Sequence, residues 1–262
     1  ILDVLAQWSS IWDNGVSELK KAGLILNINE QSPSQSIECP RSWAEYLAQL
    51  NKNRRYKAKR ALRKVRGSLE HKLFEAVYPK TEHELKKMLA RFIEMHQKRW
   101  NDLGSIGTFY EKSYLEFQRE LSVQFFKKGW VKLFALKPVS TSDDYVAMDL
   151  NYQFRDRMYG VHTAIDPESN FYNEGPGNAL FYEVLFRAIE DGVAEYDFLR
   201  GMEPYKLAIS NRSYQNQTVN IRVRGRTRIK YCELIWSQIN FRRRISRKSR
   251  DLTLRFFKDK SR

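Results

Sequence analysis

The sequence predicts a mixed α/β protein, α+β in its strand order, built around one sheet. Three observations predict it. Amphipathic helical stretches alternate with short β-rich runs. Three of those runs follow one another with only turns between them. A helix then separates the third run from a later one, as in a parallel crossover. Composition agrees: 42% of the 262 residues are hydrophobic and 13% aromatic, too many for a disordered chain. No window approaches the ~20 apolar residues of a spanning helix. Ile1-Leu2-Asp3-Val4 lacks the basic and apolar regions of a secretory signal. A start without Met reads as the start of a fragment. Cys39 and Cys232 stand too far apart for a disulfide framework or a metal-ligand spacing, which fits a reducing cytosol.

Taken in order, Trp8–Ala22 reads as a helix stopped by Gly23, and Leu24–Ile28 as a short strand. Gln31–Ser36 is polar, contains Pro33, and reads as a loop. Ser42-Trp43-Ala44-Glu45 is a capping box, and the helix it opens is expected to run to about Arg66 before Gly67. Leu73–Tyr78 is a strand. Thr81-Glu82-His83-Glu84 is a second capping box, with Leu85, Met88, Leu89, Phe92, Met95 and His96 along one stripe behind it. Ser113–Lys128 is a further helix, closed by Gly129. Trp130–Leu136, Tyr145–Phe154 and Arg157–Ile165 form an antiparallel meander, turning at Thr141–Asp144 and Arg155-Asp156. A helix with Leu180, Phe181, Val184, Leu185, Ala188 and Ile189 on its buried face ends at Gly192. Glu195–Leu199 and Thr218–Val223 are strands, and the chain from Tyr231 onward looks helical. The expected division is a partial N-terminal region over 1–66 with its basic helix, a core over 67–225, and a basic helical tail over 226–262.

The formal charge of +15 is local. Lys52–Arg66 holds nine basic residues and no acidic one, and residues 222–262 hold fifteen basic and three acidic. Together they exceed the whole net charge, so the remaining body is mildly acidic. Such density attracts phosphate: nucleic acid, a CoA-type cofactor or an anionic lipid surface. The plainer reading is a solvated helix face and a solubilising tail.

Two motifs carry chemistry. Gly175-Pro176-Gly177-Asn178 precedes a helix, where glycines admit a ligand to the backbone and the helix start favours a diphosphate. Tyr196-Asp197-Phe198-Leu199-Arg200-Gly201-Met202-Glu203-Pro204-Tyr205-Lys206 leaves a strand with a dense polar set, at the strand end where α/β sheets hold ligands. The alternatives are an ordinary turn and an Asp197–Arg200 ion pair. The four histidines have no His or Cys at ligand spacing, so no metal is expected. No Gly-x-x-x-x-Gly-Lys-Ser/Thr loop is present.

These motifs, with Ser42-Trp43-x-x-Tyr46-Leu47, the Asn53–Arg63 basic helix and His96-x-x-Arg99-Trp100 ahead of Gly104, Gly107 and Phe109, resemble the GNAT acyltransferases. More narrowly they resemble the CelD-like acetyltransferase branch, related to the Fem-type peptidyltransferases. The resemblance runs from about Ser42 to Lys206. It implies a GNAT core, a degenerate GNAT-like remnant before it, and an acyl-CoA co-substrate (acetyl-CoA or a longer thioester) held at Gly175, Gly177, Asn178, Ala179 and Leu180. The chain departs from the branch in having Gly-Pro-Gly after Glu174 where Ser-Pro-Gly is common. A carboxylate there opposes a diphosphate unless it points away.

The implied reaction is attack of an amine on a thioester. The base is sought among Asp197, Glu203 and His162, with Asp149 acting through a water. Tyr172 or Tyr205 is the candidate proton donor to the leaving sulfur. Arg200 and Lys206 would hold an anionic group of the acceptor, and His96, Arg99, Trp100 and Tyr172 complete the expected acceptor site. The bland alternatives are a core His162, a packed His96–Trp100 pair and an Asp149 that merely alternates. The expected function is N-acyl transfer to a small amine or sugar amine, in polysaccharide or envelope metabolism. The expected place is the cytoplasm or the inner face of its membrane. Two competitors stand beside it. One is a Fem-like transferase using charged tRNA, bound through Lys52–Arg66 and the tail. The other is a non-catalytic module that lays Phe241–Phe257 on an anionic membrane.

Overall fold

The computed structural model describes residues 2–6, 10–141 and 144–222. The chain divides into two units: Ile1–Gln31 with Gln215–Arg262, and Ser32–Tyr214. In the first, strand β1 (Leu2–Ala6) pairs antiparallel with β8 (Arg212–Arg222), and helix α1 (Ser10–Lys21) leads through Gly23 to the start of β2 (Ile25–Glu38). The expected helix beyond Tyr231 and the apolar–basic tail lie outside the described residues, as do Ser142 and Asp143 of the expected Thr141–Asp144 turn.

The second unit holds α2 (Trp43–Gln49), α3 (Lys52–Arg66), β3 (Phe74–Val77), α4 (Glu82–Asp102), α5 (Lys112–Lys127), β4 (Val131–Pro138), β5 (Ala147–Phe154), β6 (Arg157–Ile165), α6 (Pro176–Glu190), β7 (Glu195–Arg200) and α7 (Pro204–Ile209). Its strands run β2-β7-β6-β5-β4-β3. All neighbours are antiparallel except β6 and β7, which are parallel and joined through α6. This is the mixed sheet with one crossover that the sequence predicts.

Two local expectations are corrected. Gln31–Ser36 is strand, not loop: it pairs with β7, and its buried Gln35 finds partners, donating to Ser213 Oγ (2.9 Å) and accepting from Ser210 Oγ (3.1 Å). The helix from Ser42 does not run unbroken to Arg66. It stops at Leu50, and Asn51 caps a new helix by accepting from the Arg54 N–H (3.0 Å). Arg55 then donates to the open carbonyls of Leu47, Ala48 and Leu50, closing the break. Ser42 does accept from the Glu45 N–H, but the Glu45 carboxylate reaches the Arg41 N–H instead of closing the box. At Thr81 both halves of the box form.

Apolar side chains alternate across the sheet and make two cores. On one face Phe134, Leu136, Ala147, Met158, Tyr196 and Phe198 pack under α3 and α6. On the other Leu133, Ala135, Met148, Leu150 and Ala164 pack under α4 and α5. Buried Glu183 of α6 accepts from Arg66 of α3 (2.5 and 2.9 Å) and from Arg187 (2.6 Å), locking the basic helix to the crossover helix.

Candidate active site

The site begins where β6 and β7 part. Their pairing covers Arg157↔Glu195, Met158↔Tyr196 and Tyr159↔Asp197 and then stops. Yet β6 continues to Ile165 against β5, and β7 continues to Arg200 against β2. Beyond Tyr159 and Asp197 the two strands therefore present unpaired inner edges to each other, a cleft opening toward their carboxyl ends. The β5–β6 register slips at the same level, from Asn151↔Gly160 to Leu150↔His162. Val161 is the extra residue of this bulge, so Val161 and His162 both turn to the α5 face.

Gly160 sits at this point for a steric reason. A Cβ there would lie 2.7 Å from the Tyr196 hydroxyl. That hydroxyl crosses the base of the cleft and donates to Asn151 Oδ1 (2.8 Å). Asn151 donates to Asp149 Oδ2 (3.0 Å), and Thr163 donates to Asp149 Oδ1 (2.6 Å). Asp149 is buried and Thr163 exposed. Burial raises the Asp149 carboxyl above the usual carboxylate range, against the two hydrogen bonds that lower it. Tyr205 of α7 stands near this group. Burial, then the charges of Glu203 and Asp149, push its hydroxyl up to about 12, with Arg99 opposing. Of the expected site, Asp149 thus lies on one side of the cleft, and Tyr205 is close enough to feel its charge and that of Arg99.

His162 faces the other side. Ser122, Tyr152, Gln118 and Tyr114 form a hydrogen-bonded chain that ends at its ring. Tyr152 donates to Gln118 Oε1 (2.8 Å), Gln118 donates to the Tyr114 oxygen (2.9 Å), and Tyr114 meets His162 Nε2 at 2.9 Å. With the Gln118 amide donating to it, the Tyr114 oxygen can give its own proton to Nε2, an arrangement in which the His162 proton sits on Nδ1. His96 lies 5.3 Å from His162 ring to ring and accepts from Trp100 Nε1 at 3.0 Å. Burial drives both imidazoles down to about 4, helped at His96 by the neighbouring His162 and Arg99. Both are neutral near pH 7. The sequence reading missed Tyr114, Gln118 and Ser122. The signal was there: three polar residues at i, i+4 and i+8 on the buried side of an amphipathic helix.

Several expected residues serve elsewhere. Asp197 pairs with Arg157 (3.9 Å) rather than Arg200, and its Oδ1 accepts from the Leu199 N–H (2.8 Å). Leu199 has φ +58, a left-handed conformation unfavourable for a branched residue, at a register slip between β2 and β7. Asp197 thus holds a strained turn, and its carboxyl is raised by burial. Lys206 is buried and spent on Arg200 O (3.1 Å) and Glu203 (3.0 Å), so neither Lys206 nor Glu203 is an unengaged group. Leu180, expected at the cofactor site, is wholly buried in the core. His96 is buried against Phe92 and Phe109, and its bond to Trp100 matches the packed-pair alternative. Arg200 and Tyr172 are exposed.

The glycine turn has packing duties of its own. Gly175 is left-handed (φ +67), which a glycine allows. A Cβ on Gly177 would lie 2.5 Å from Ile165 Cδ1, so this glycine brings α6 close against β6. Pro176 has no N–H, and the amides of Asn178 and Ala179 both donate to Gly175 O (3.1 Å each). Among the described residues, Gly177 is the first-turn residue whose N–H lacks a backbone acceptor. Glu174 is drawn aside by Lys64 of α3, which donates to its carboxylate (2.6 Å) and to its carbonyl. That bond holds the Glu174 carboxyl below the usual range. Among the described residues no group of three or more His, Cys, Asp or Glu side chains fits a metal ion, and no helix is long and apolar enough to cross a membrane.

Comparison with known proteins places this geometry in a family. The sequence model described as acetyltransferase (GNAT) domain matches residues 52–207. Among solved structures, FemX is 14% identical, with a TM-score of 0.52 over 77% of this chain and 68% of that one. A conserved protein of unknown function from Bacteroides thetaiotaomicron is also 14% identical, with a TM-score of 0.51 over 80% of this chain and 67% of that one. These likenesses are of fold. No curated protein sequence matches the chain.

Proposed function

The chain belongs to the GNAT acetyltransferase-domain family, and from that premise we propose that it is an N-acyltransferase moving an acyl group from acyl-CoA to an amine acceptor. One observation carries the reading: β6 and β7 lose their pairing just past Tyr159 and Asp197, beside a bulge at Val161. Unpaired strand edges offer alternating N–H and C=O groups, which suit the amide-bearing pantetheine arm of CoA. From Gly177, against Ile165, back to Val161 is four residues, about 13 Å of strand, a span that arm bridges.

Asp149 is the base, acting through Thr163. The exposed Thr163 hydroxyl takes the amine proton as it passes its own to Asp149 Oδ1, and burial tunes that carboxyl toward neutrality. Tyr205, whose hydroxyl keeps its proton to about 12, protonates the departing thiolate. The His162 Nδ1–H, fixed in its tautomer by Tyr114, is a donor for the thioester carbonyl. Asp149→Asn keeps the shape and removes the base. The expected result is a loss of transfer of about 10²–10⁴-fold with acyl-CoA binding retained. Full turnover in that variant rules Asp149 out.

A second reading has one observation in its favour. Six cations of α3 (Lys52, Arg54, Lys57, Lys59, Arg60 and Arg63) are exposed and make no ion pair among the described residues. A charged tRNA as acyl donor would use them. Salt-sensitive tRNA binding, without binding of CoA thioesters, would favour it.

A further inference from the structure

A cavity of about 390 Å³ opens between α5 and the sheet, at the foot of the cleft. Its wall is formed chiefly by Phe125, Trp130, Tyr152, Tyr159, Val161 and Leu199. Gln153 and Phe154 complete it, and although Gln153 and two tyrosines stand in the wall, the surface they turn to the space is apolar. The Tyr152 hydroxyl is turned away and tied to Gln118 and Ser122. Two devices described above aim residues into this space. The bulge turns Val161 to the α5 face, and the left-handed turn held by Asp197 sets Leu199 opposite. Both residues lie two positions beyond the last paired residues of their strands, so the cavity begins where the cleft ends.

We propose that this cavity receives the hydrocarbon chain of the acyl donor, and that the group transferred is a medium to long acyl chain rather than acetyl. The proposal rests on the acyltransferase reading and names its substrate class. In the transfer the amine nitrogen bonds to the thioester carbonyl carbon, the C–S bond breaks, the amine's proton passes through Thr163 to Asp149, and CoA leaves as the thiol with a proton from Tyr205, which solvent restores as Asp149 gives its own up. The chain itself is unchanged, so its pocket needs shape and dryness but no reactive group. An acetyl methyl would leave nearly all of the space empty. An apolar cavity of about 150 Å³ takes one benzene ring. One more than twice as large suits on the order of a dozen carbons.

The test is a calorimetric titration of the full chain with CoA, acetyl-CoA, octanoyl-CoA and dodecanoyl-CoA. Affinity is expected to rise with chain length, by up to about fourfold per buried methylene. Val161→Trp fills the mouth of the cavity and Phe125→Trp its α5 wall. Each is expected to flatten the series toward the acetyl-CoA value, and the second serves if the first does not fold. Equal affinity for acetyl-CoA and dodecanoyl-CoA overturns the acyl-chain assignment and leaves the transferase standing. Failure of every CoA species to bind overturns both.

Discussion

Asp197 and Asp149 show how little residue type says about role. Both are strand carboxylates raised by burial. One holds the Leu199 turn and faces Arg157, while the other faces an exposed threonine inside the cleft. Asp197→Asn keeps an acceptor for the Leu199 N–H and is expected to leave turnover within a few fold. Asp197→Ala removes it and is expected to cost about 1–2 kcal/mol in a denaturant melt. A collapse of turnover in Asp197→Asn would instead make it the base. The histidines give a pH prediction. The unfolded chain takes up protons near the ordinary 6.5, the native rings only near 4. The unfolded state thus binds more protons in that window, and stability falls as pH drops through it. The raised Asp149 works in the opposite sense, gaining protons first in the native state. Replacing His162 with Gln should therefore flatten the acid side of a Tm-against-pH curve. With Asp149 as the proposed base, activity is expected to be lost as pH falls through its raised titration, and an acid limb unchanged in Asp149→Asn would rule that role out.

At the scale of elements, the antiparallel meander and the crossover helix were legible because each rests on a local pattern: period-two runs, short turns and an apolar helix stripe. The cleft and the bulge were not, since both are statements of register between strands, and no single strand's sequence records its partner's slip. The break at Asn51 was readable as an Asn before a helical run, but the continuous basic stripe concealed it. The polar strand at Gln31–Ser36 was hidden because its partners, Ser210 and Ser213, lie far along the chain. Gly177 offers a test of packing at this scale. Gly177→Ala puts a methyl into Ile165 Cδ1 and is expected to destabilise by about 1–2 kcal/mol. Adding Ile165→Val, which removes that δ-carbon, should recover most of the loss. A single mutant as stable as the parent would mean that α6 yields freely at its start.

Across the whole molecule, the charge is divided between structure and surface. Of the nine cations in α3, Arg55 caps α2, Lys64 holds Glu174 and Arg66 reaches Glu183. The run that reads as one electrostatic block is therefore one-third scaffold. Neutralising Lys57, Lys59 and Arg60 together should leave the melting temperature near the parent's while weakening any polyanion binding and reducing its salt dependence by about three phosphate contacts. Neutralising Lys64 and Arg66 should lower the melting temperature. The reverse pattern would assign the exposed cations to the fold.

The Lys64–Glu174 bond ties the long cationic helix to the turn at which the crossover helix starts. A pull on one is transmitted to the other over two hydrogen bonds. If a polyanion engaged α3 and thereby changed the hold on Glu174, it would alter donor affinity by some factor, and by thermodynamic reciprocity the donor would alter polyanion affinity by that same factor. Two surfaces that share no ligand would then answer to each other through a single lysine.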